Sequence, residues 1–511
     1  MNHTPYLLHH LLDGEATSDA VIHGEQRLTH AQLTLAARRC AAHLRAAGLS
    51  RGDRAVIFLP RGIEECWAIF GISQAQGVFV PVNALLKAPQ LRHIVNDCEA
   101  RIVVSTRGQD AILAEALGGL EGVRVLYVED MVSTEPEGAT PHDVAIGEDL
   151  CAILYTSGST GMPKGVMLSH RNLLAGTRIV RTYLGITSAD RILSILPFSF
   201  DYGLNQLLTA IEQRASIVVF TFRFGDEIVR ALHDHEITGL AGVPTLWAIL
   251  TQGSPLLRST SLPHLRYITN SGGRVPSENV SALRNLLGET RIFLMYGLTE
   301  AFRSTYLPPE EIDKRPTSIG RAIPECEIFA VNQDGQRTRP GEPGILVHRG
   351  PTVSLGYWRR PEETARVLRP HPFLSPLEGG DTVCYSGDLV VEDEDGYFSF
   401  VGRNDAMIKS SGYRISPTEV EEAIMATGHF QQVAVIGLPD PVAGEKVHAL
   451  AVLRSESSGI ETKPVLRELG RTIATYMVPR TIELLEALPT TPNGKVDYKL
   501  LVRQRSSKTD A

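Results

Sequence analysis

The chain has 511 residues, of which 43% are hydrophobic and 21% are charged, as in an ordinary globular protein of about three domain-sized units. Its 58 acidic and 50 basic residues give a formal net charge of −8, which argues against nucleic acid as a bulk partner because no net basic surface would release counterions. With six scattered cysteines, no signal peptide and no long apolar run, we expect a cytoplasmic protein that does not contact a membrane.

The N-terminal part of the chain alternates helical and strand patterns. The sequence predicts a helix that opens at 28–33 and stops near Gly48, a strand over 54–59, a helix over 64–75 and a strand over 77–81. Such alternation is typical of layered α/β domains.

A loop rich in glycine and hydroxyl groups, Tyr155–Gly165, is the most informative segment. It reads Tyr-Thr-Ser-Gly-Ser-Thr-Gly-Met-Pro-Lys-Gly, between apolar runs at 151–154 and 166–168 that predict strands. Its N–H, O–H and ammonium donors can converge on one anion, which favours phosphate. The residues around Lys164 do not match a Walker A motif. Taken alone, the segment also fits a flexible linker.

Beyond this loop the pattern predicts a helix capped by Ser169 and buried strands over 216–220 and 292–295. From about residue 325, short strands between turn residues indicate a small β-rich subdomain. A domain boundary is predicted near 402–405.

The C-terminal part has a compact α+β pattern. Ser416–Glu419 forms a predicted capping box with proline at the first helical position. Strands over 433–436 and 447–450 and a helix over 464–475 follow. The polar tail over 503–511 is expected to be disordered.

Four further segments carry candidate chemistry. Glu300, after a strand, is a candidate Mg²⁺ ligand beside the phosphate loop, although an ordinary strand-to-helix turn is the alternative. Asp388 and Arg403 are candidates for binding ribose hydroxyls, although Asp388 also fits a β-turn. An Asn-Gly turn would project Lys495, which taken alone also fits a solvated surface lysine.

All these segments occur in the order and at the spacing of one family. The chain resembles, over essentially its whole length, the adenylate-forming superfamily of acyl-CoA synthetases, nonribosomal peptide synthetase adenylation domains and luciferases. The segments 196–206, 269–273 and 300–305 are most similar to the exosortase-associated AMP-forming acyl-CoA ligases and the free-standing prolyl-type carrier-protein ligases.

The element pattern and the resemblance together imply an α/β fold in several units. A large N-terminal adenylation domain over 1–402 would combine two layered α/β subdomains with the small β-rich subdomain. A hinge over 403–405 would join it to a mobile, small α+β C-terminal domain over 406–502, with the polar tail after it.

The resemblance also implies an ATP site with Mg²⁺ on Glu300 and with Lys495, Glu300 and Thr156 as catalytic residues. The implied ATP and AMP ligands are Thr156, Ser157, Gly158, Ser159, Thr160, Gly161, Lys164, Gly272, Gly273, Arg274, Met295, Tyr296, Gly297, Leu298, Thr299, Asp388, Arg403 and Lys495. Asp405 would be the hinge residue, and Lys409 and Gly412 would line the path of a phosphopantetheine thiol.

The implied substrate pocket is formed by Asp201, Tyr202, Asn205, Ala241, Ile268, Asn270, Met295, Arg303 and Ser304. Asp201 matches the position that anchors an α-amine in enzymes for amino acids, and a buried carboxylate needs a cationic partner. Arg303 would either pair with Asp201 or bind a second carboxylate of the substrate.

These features predict an AMP-forming acid–thiol ligase. It would activate a small carboxylic acid, an amino acid with proline as a candidate, and transfer it to the phosphopantetheine thiol of a separate carrier protein. An acyl-CoA ligase that uses free CoA and a small non-amino acid is the alternative. An adenylate-forming oxygenase and an inactive binding protein are more distant alternatives.

Overall fold

The structure, a computed structural model, describes most of the chain. The described residues are 4–14, 16–132, 143–157, 163–403, 407–410, 413–440, 444–454, 457, 460–473, 477–492 and 494–506.

The described strands, in chain order, are β1 (Asp19–His23), β2 (Gln26–Thr29), β3 (Arg54–Phe58), β4 (Val78–Pro81), β5 (Ala100–Ser105), β6 (Arg124–Tyr127), β7 (Leu150–Ser157), β8 (Pro163–Ser169), β9 (Arg191–Ser194), β10 (Ser216–Val219), β11 (Gly239–Gly242), β12 (Tyr267–Asn270), β13 (Arg291–Tyr296), β14 (Thr305–Leu307), β15 (Ser318–Ala322), β16 (Glu327–Val331), β17 (Pro343–Arg349), β18 (Gly356–Tyr357), β19 (Leu368–Pro370), β20 (Thr382–Glu392), β21 (Phe398–Arg403), β22 (Ile408–Ser410), β23 (Tyr413–Ile415), β24 (Phe430–Asp440), β25 (Gly444–Leu453) and β26 (Ile482–Leu484).

The described helices are α1 (His30–Ala46), α2 (Ile63–Gln74), α3 (Ala88–Asp97), α4 (Asp110–Leu117), α5 (Val128–Met131), α6 (His170–Leu184), α7 (Asp201–Glu212), α8 (Gly225–Asp234), α9 (Pro244–Gly253), α10 (Ser277–Leu287), α11 (Pro361–Val367), α12 (Pro417–Met425), α13 (Thr462–Thr472) and α14 (Tyr498–Ser506).

The strands form three sheets within the described ranges. One sheet runs β16-β17-β20-β21-β15-β14-β13-β12-β11-β9-β10-β1-β2, with β19 beside β20. A second runs β18-β8-β7-β4-β3-β5-β6, and a third, C-terminal sheet runs β23-β22-β25-β24 with β26 beside β25. The mixed α/β class predicted from the sequence is confirmed, with a large N-terminal part and a small C-terminal part.

Local sequence signals explain where several helices begin. The Ser169 side chain accepts a hydrogen bond from the Asn172 backbone N–H at the start of α6, which satisfies a backbone donor that the helix itself leaves unpaired. The predicted cap at Ser416 is likewise present, with Pro417 in the first turn of α12.

Three boundaries differ from the sequence prediction. The helix predicted over 464–475 is α13, Thr462–Thr472. The tail predicted to be disordered from residue 503 is helical as far as Ser506, because α14 continues to that residue and buries Leu501 in the C-terminal core. The β-rich region begins at β15 and continues the first sheet through the β14–β15 pairing.

Parallel strands place the loops that matter for function. Strands β10, β9, β11, β12 and β13 are parallel to one another, so their carboxyl ends meet at one edge. Buried aliphatic and aromatic residues of these strands join the main hydrophobic core. In open α/β sheets, ligands bind beyond this edge, where the loops after β11, β12 and β13 emerge.

The C-terminal sheet has its own hydrophobic core. Ile408, Val420, Phe430 and Leu469 are buried in one cluster with residues of β24 and β25. Each fully buried aliphatic or aromatic side chain contributes about 1.5–3 kcal/mol. Among the described helices, none has the length and apolar character of a membrane span.

Candidate active site

Lys495 and the loop after β12 come together at the carboxyl edge of the first sheet. A Cβ added to Gly272 would lie 2.9 Å from Lys495 Cε and 3.5 Å from Phe200 Cζ. The Lys495 ammonium lies 5.0 Å from the centroid of the Phe200 ring. The structure therefore joins two predicted site residues, Gly272 and Lys495, that lie far apart in sequence.

The turn that carries Lys495 docks onto the N-terminal part. Thr245 donates a hydrogen bond to the Gly494 carbonyl at 2.9 Å, and Gly494 has the positive φ of 77° expected for a tight turn. Within the turn, the Thr491 N–H donates to the Lys495 carbonyl at 2.7 Å. These contacts fix the direction of the lysine side chain.

The surroundings of Lys495 are both buried and charged. Burial lowers the pKa of the Lys495 ammonium, and the nearby carboxylates of Asp201, Glu300 and Asp388 partly oppose this shift. The site therefore holds a desolvated cation among acidic groups, where added negative charge on a ligand would be stabilised strongly.

The arms of the predicted phosphate loop form an antiparallel hairpin of β7 and β8. Thr156 is paired with Lys164 across this hairpin. Gly165 is required by packing, because a Cβ there would lie 2.4 Å from Ile153 Cγ2. Gly158, Ser159, Thr160 and Gly161 lie outside the described residues, as does the side chain of Ser157, so their predicted contacts stay predictions.

Glu300 is held by Tyr357, which the sequence analysis did not identify. The Tyr357 hydroxyl donates to Glu300 Oε1 at 2.6 Å, and the Ser354 N–H donates to the Glu300 carbonyl. Lys164 Nζ lies 5.6 Å from the Tyr357 ring and 3.7 Å from Glu363 Oε1. The structure thus brings Lys164 and Glu300 to the same tyrosine, one near its ring and one at its hydroxyl.

The carboxylate of Glu300 suits a hard cation. One of its oxygens accepts from Tyr357, and the side chain is only partly buried. Oxygen donors of this kind are those that Mg²⁺ takes in nucleotide sites, so the residues present are compatible with the predicted metal.

Tyr296, Asp388 and Arg403 form a second polar group at this edge. The Tyr296 hydroxyl donates to Asp388 Oδ2 at 2.5 Å. Arg403 is paired with Asp388 across β20 and β21, with Nη1 3.4 Å from Oδ1. Burial, with the Asp388 charge as a second cause, raises the pKa of Tyr296 well above its ordinary value. The predicted ribose residues therefore contact each other.

The loop segments predicted to surround the adenine also lie at this edge. Gly273 accepts a hydrogen bond from Asn270 Nδ2 at 2.9 Å, and Gly297 packs against the backbone of Arg303. Arg274 is paired with Glu422 of α12, so its charge faces the C-terminal part. Leu298 and Thr299 follow β13 in the same loop.

The predicted substrate pocket is buried as a set. All nine residues are at most 4% exposed: Asp201, Tyr202, Asn205, Ala241, Ile268, Asn270, Met295, Arg303 and Ser304. Five of them, Tyr202, Asn205, Ala241, Met295 and Arg303, line one cavity.

The remaining four pocket residues have other contacts. Asn270 accepts from Trp247 Nε1 as well as donating to the loop after β12, so its amide has a structural role. Ser304 is hydrogen-bonded to the buried His348 at 3.0 Å, whose pKa burial lowers to about 3. Ile268 is packed in the core.

Asp201, the fourth, lies in the first turn of α7 and pairs with Arg303. Arg303 Nη1 is 3.3 Å from Asp201 Oδ2, and both side chains are almost completely buried. Arg303 also stacks over the Tyr202 ring at 4.6 Å. Of the two roles considered for Arg303, pairing with Asp201 is present in the structure.

The segment that presents Arg303 has an unusual backbone. Phe302 and Arg303 have φ values of 48° and 147°, which cost free energy for residues other than glycine. The Phe302 ring packs over Gly176, where a Cβ would lie 2.3 Å away. Such strain is retained where the surroundings fix it, and here it directs the guanidinium into the cavity.

The sequence analysis missed several lining residues. They are Gln206, Thr209, Tyr267 and Thr269. Tyr202, Asn205, Gln206 and Thr209 recur at the spacing of one helix face, a signal that could have extended the pocket along α7.

The predicted thiolation residues are less well described. Asp405 and Gly412 lie outside the described residues, and Lys409 lies in β22. Contacts between the two parts include an ion pair between Arg454 and Glu278, in addition to the Arg274–Glu422 pair. The hinge over 403–405 stays a prediction.

Comparisons with known proteins show which family the chain matches. A family model described as "AMP-binding enzyme" matches residues 12–358, and one described as "AMP-binding enzyme C-terminal domain" matches residues 419–495. Feruloyl-CoA synthase from Amycolatopsis sp is 34% identical over 492 residues, which cover 95% of this chain and 95% of that protein.

The chain is also similar to part of a much longer protein and to a solved structure. Surfactin synthase subunit 2 of Bacillus subtilis (strain 168) is 28% identical over 96% of this chain, which corresponds to 14% of that protein. The crystal structure of ATP-bound MatB from Rhodopseudomonas palustris is 28% identical, with a TM-score of 0.89 over 99% of this chain and 100% of that chain. The chain therefore belongs to the family of AMP-binding enzymes, and it is an AMP-forming acid–thiol ligase that activates a carboxylic acid with ATP.

Proposed function

We propose that this ligase adenylates a small amino acid and transfers it to the phosphopantetheine thiol of a separate carrier protein. The main support is the position of Lys495, which is seated between Gly272 and Phe200, the residue that precedes Asp201. The cation for the reacting carboxylate and the predicted anchor for an α-ammonium thus lie side by side.

The first half-reaction joins two anions, so it needs cations and N–H donors. A carboxylate oxygen of the acid bonds to the α-phosphorus of ATP, and the bond from that phosphorus to the bridging oxygen of pyrophosphate breaks. Lys495 would neutralise the charge that builds between the carboxylate and the α-phosphate. Thr156 and Lys164 would hold the departing phosphates, and Asp388 with Arg403 the ribose. Bound at Glu300, Mg²⁺ would supply further positive charge to the phosphates.

The second half-reaction forms the thioester. The thiol sulfur bonds to the acyl carbon as its proton passes to solvent, and the bond from that carbon to the oxygen of AMP breaks. We propose that the part after the hinge at Asp405 rotates for this step, as in the family that the motifs resemble. Lys495 would then leave the site, and Lys409 and Gly412 would approach it.

CoA is the second candidate acceptor, and a specific observation favours it. Feruloyl-CoA synthase matches this chain over 95% of its own length, whereas surfactin synthase subunit 2 is much longer. Relatives that this chain matches over nearly their whole length are thus named for CoA. Both acceptors present the same phosphopantetheine arm.

The proposal predicts amino-acid-dependent exchange of pyrophosphate with ATP. A panel of amino acids that includes proline, small non-amino acids and aliphatic acids should give the fastest exchange with an amino acid. Exchange with an aliphatic acid, and with no amino acid, would contradict the amino-acid assignment. Thioester formation with CoA and with a phosphopantetheinylated carrier protein then separates the two acceptors. Acid-dependent oxygen consumption without any thiol would instead indicate an oxygenase.

Tyr357→Phe should lower the apparent affinity of the reaction for Mg²⁺. The change removes the 2.6 Å hydrogen bond to Glu300 Oε1 and leaves the carboxylate free to rotate. Loss of a residue that orients a metal ligand commonly costs about 10- to 100-fold in metal affinity or activity. We therefore expect a higher Mg²⁺ concentration at half-maximal exchange. Tyr127→Phe, in the edge strand β6, serves as the control, and equal Mg²⁺ dependence in both variants would contradict the role.

A further inference from the structure

The Arg303 guanidinium has an edge that the protein leaves without a partner. Its Nη1 pairs with Asp201 at 3.3 Å, whereas its Nε and Nη2 are buried and have no hydrogen-bond partner among the residues that the structure describes. Leaving buried donors of a charged group unpaired is costly, and Arg303 is 1% exposed. The free edge therefore indicates that a ligand supplies the acceptors.

The geometry of this edge selects a kind of acceptor. The N–H groups on Nε and Nη2 point the same way in the plane of the guanidinium, and they form a fork that matches the two oxygens of a carboxylate. Asn205 Nδ2 is a further buried donor without a partner in the described residues, and it lines the same cavity. These donors together fit a planar, negatively charged group.

The charges also require a cation on the ligand. Asp201 and Arg303 neutralise each other in the free protein, so a second carboxylate on Arg303 would leave one uncompensated negative charge in a buried site. A buried charge needs a partner, and an ammonium group beside Asp201 would restore neutrality. Gln206 lines the same cavity, and its Oε1 is a buried acceptor without a described partner. This oxygen could accept a hydrogen bond from the ligand.

The order of these groups along the pocket matches one molecule. Lys495 contacts Phe200, and Phe200 is followed directly by Asp201 in α7. Asn205 lies one turn further along the helix, on the side of the cavity. Asp201 and Arg303 lie close enough to Lys495 for their charges to affect its pKa, so the proposed sites for the reacting carboxylate, an adjacent ammonium and a distal carboxylate are neighbours.

We infer that the substrate is a short α-amino dicarboxylic acid, of the aspartate and glutamate kind, with its distal carboxylate on the fork of Arg303. This inference rests on the proposed function, because it names the acid that Lys495 would bind at its other end. The cavity is small, and the side chains of Tyr202, Tyr267 and Met295 also line it, which favours a short acid. Proline would leave the free edge of Arg303 unpaired.

The test compares exchange of pyrophosphate with ATP for aspartate, glutamate, asparagine, glutamine, succinate, alanine and proline. An acidic amino acid should exceed its own amide in kcat/KM by about 10- to 100-fold, as expected for a charge-assisted hydrogen-bonded pair. Succinate should be poor because it lacks the ammonium. A preference for an amide or for a neutral amino acid would overturn the inference and leave the proposed function standing. Exchange with no acid at all would overturn both.

Variants test whether Arg303 sets this preference. Arg303→Lys keeps a cation for Asp201 but removes the fork, so the acid-to-amide ratio should fall about 10-fold or more. Asn205→Leu keeps the volume and the Asp201–Arg303 pair, and should lower the same ratio less. Arg178→Lys, at an exposed ion pair with Glu325, should leave the ratio unchanged. A ratio that stays constant in folded Arg303→Lys and Asn205→Leu would overturn the assignment, since a purely structural arginine would change activity toward all acids alike.

Discussion

Lys495→Ala should lower acid-dependent exchange of pyrophosphate with ATP by about 100- to 1,000-fold, the usual cost of removing one preorganised donor to developing charge. The lysine is seated against Gly272 and Phe200 and lies near the carboxylates of Asp201 and Glu300. In the variant, the attacking carboxylate and the α-phosphate would meet without a cation between them. Thioester formation from a supplied acyl-adenylate should be largely retained, because Lys495 acts in the first half-reaction.

Lys499 offers a matched control, since it is exposed and lies four residues after Lys495 in the chain. Lys499→Ala should leave both half-reactions unchanged. Burial lowers the pKa of Lys495, and the reaction needs the charged form of this lysine. As the pH rises, exchange should therefore begin to decline at a pH below about 10.4, the pKa of a free lysine. Full exchange in Lys495→Ala would contradict the proposed mechanism.

The candidate site residues that the sequence indicated lie in short local motifs. Thr156, Lys164, Glu300, Asp388 and Lys495 were each placed by a local pattern, because glycine-rich turns and strand ends are encoded by neighbouring residues. The β7–β8 hairpin and the cap at Ser169 are local in the same sense. The fold class followed from the alternation of strands and helices.

Contacts between distant segments could not be predicted in this way. Tyr357 lies 57 residues from Glu300. Neither sequence segment indicates that the Tyr357 hydroxyl contacts the Glu300 carboxylate. The same holds for Arg274, whose partner Glu422 belongs to α12. The Arg303–Asp201 pair was one of two open alternatives, because a sequence gives the charges of a pocket but not the direction of its donors.

The unpartnered donors of Arg303 became visible only in three dimensions. Phe302 and Arg303 adopt positive φ values, which no residue type at these positions indicates. Gly176 and Gly297 make room for this turn, and their own neighbours lie far away in the chain. The specificity that we propose would therefore depend on packing around one strained segment, whereas the proposed chemistry would depend on motifs.

Gly272→Ala should show whether the position of Lys495 matters for activity independently of its effect on the stability of the fold. Gly272 has a φ of 81°, and an added Cβ would lie 2.9 Å from Lys495 Cε. A lysine tip moves easily, so the clash itself costs little stability, and the backbone conformation costs about 1–2 kcal/mol. The displaced ammonium would no longer reach the reacting groups, and a misplacement of this size can cost about 100-fold in rate.

Gly185→Ala is the control for the free-energy cost of the positive φ alone. Gly185 has a φ of 65°, and no atom lies within 4 Å of its added Cβ. Both variants should lose similar free energy of unfolding in chemical denaturation, and only Gly272→Ala should lose exchange of pyrophosphate with ATP. Transfer from a supplied acyl-adenylate should survive in both, since Lys495 is then not needed at Gly272. If Gly272→Ala kept full exchange, either Lys495 would act from a position other than the one against Phe200, or the first half-reaction would use a different cation.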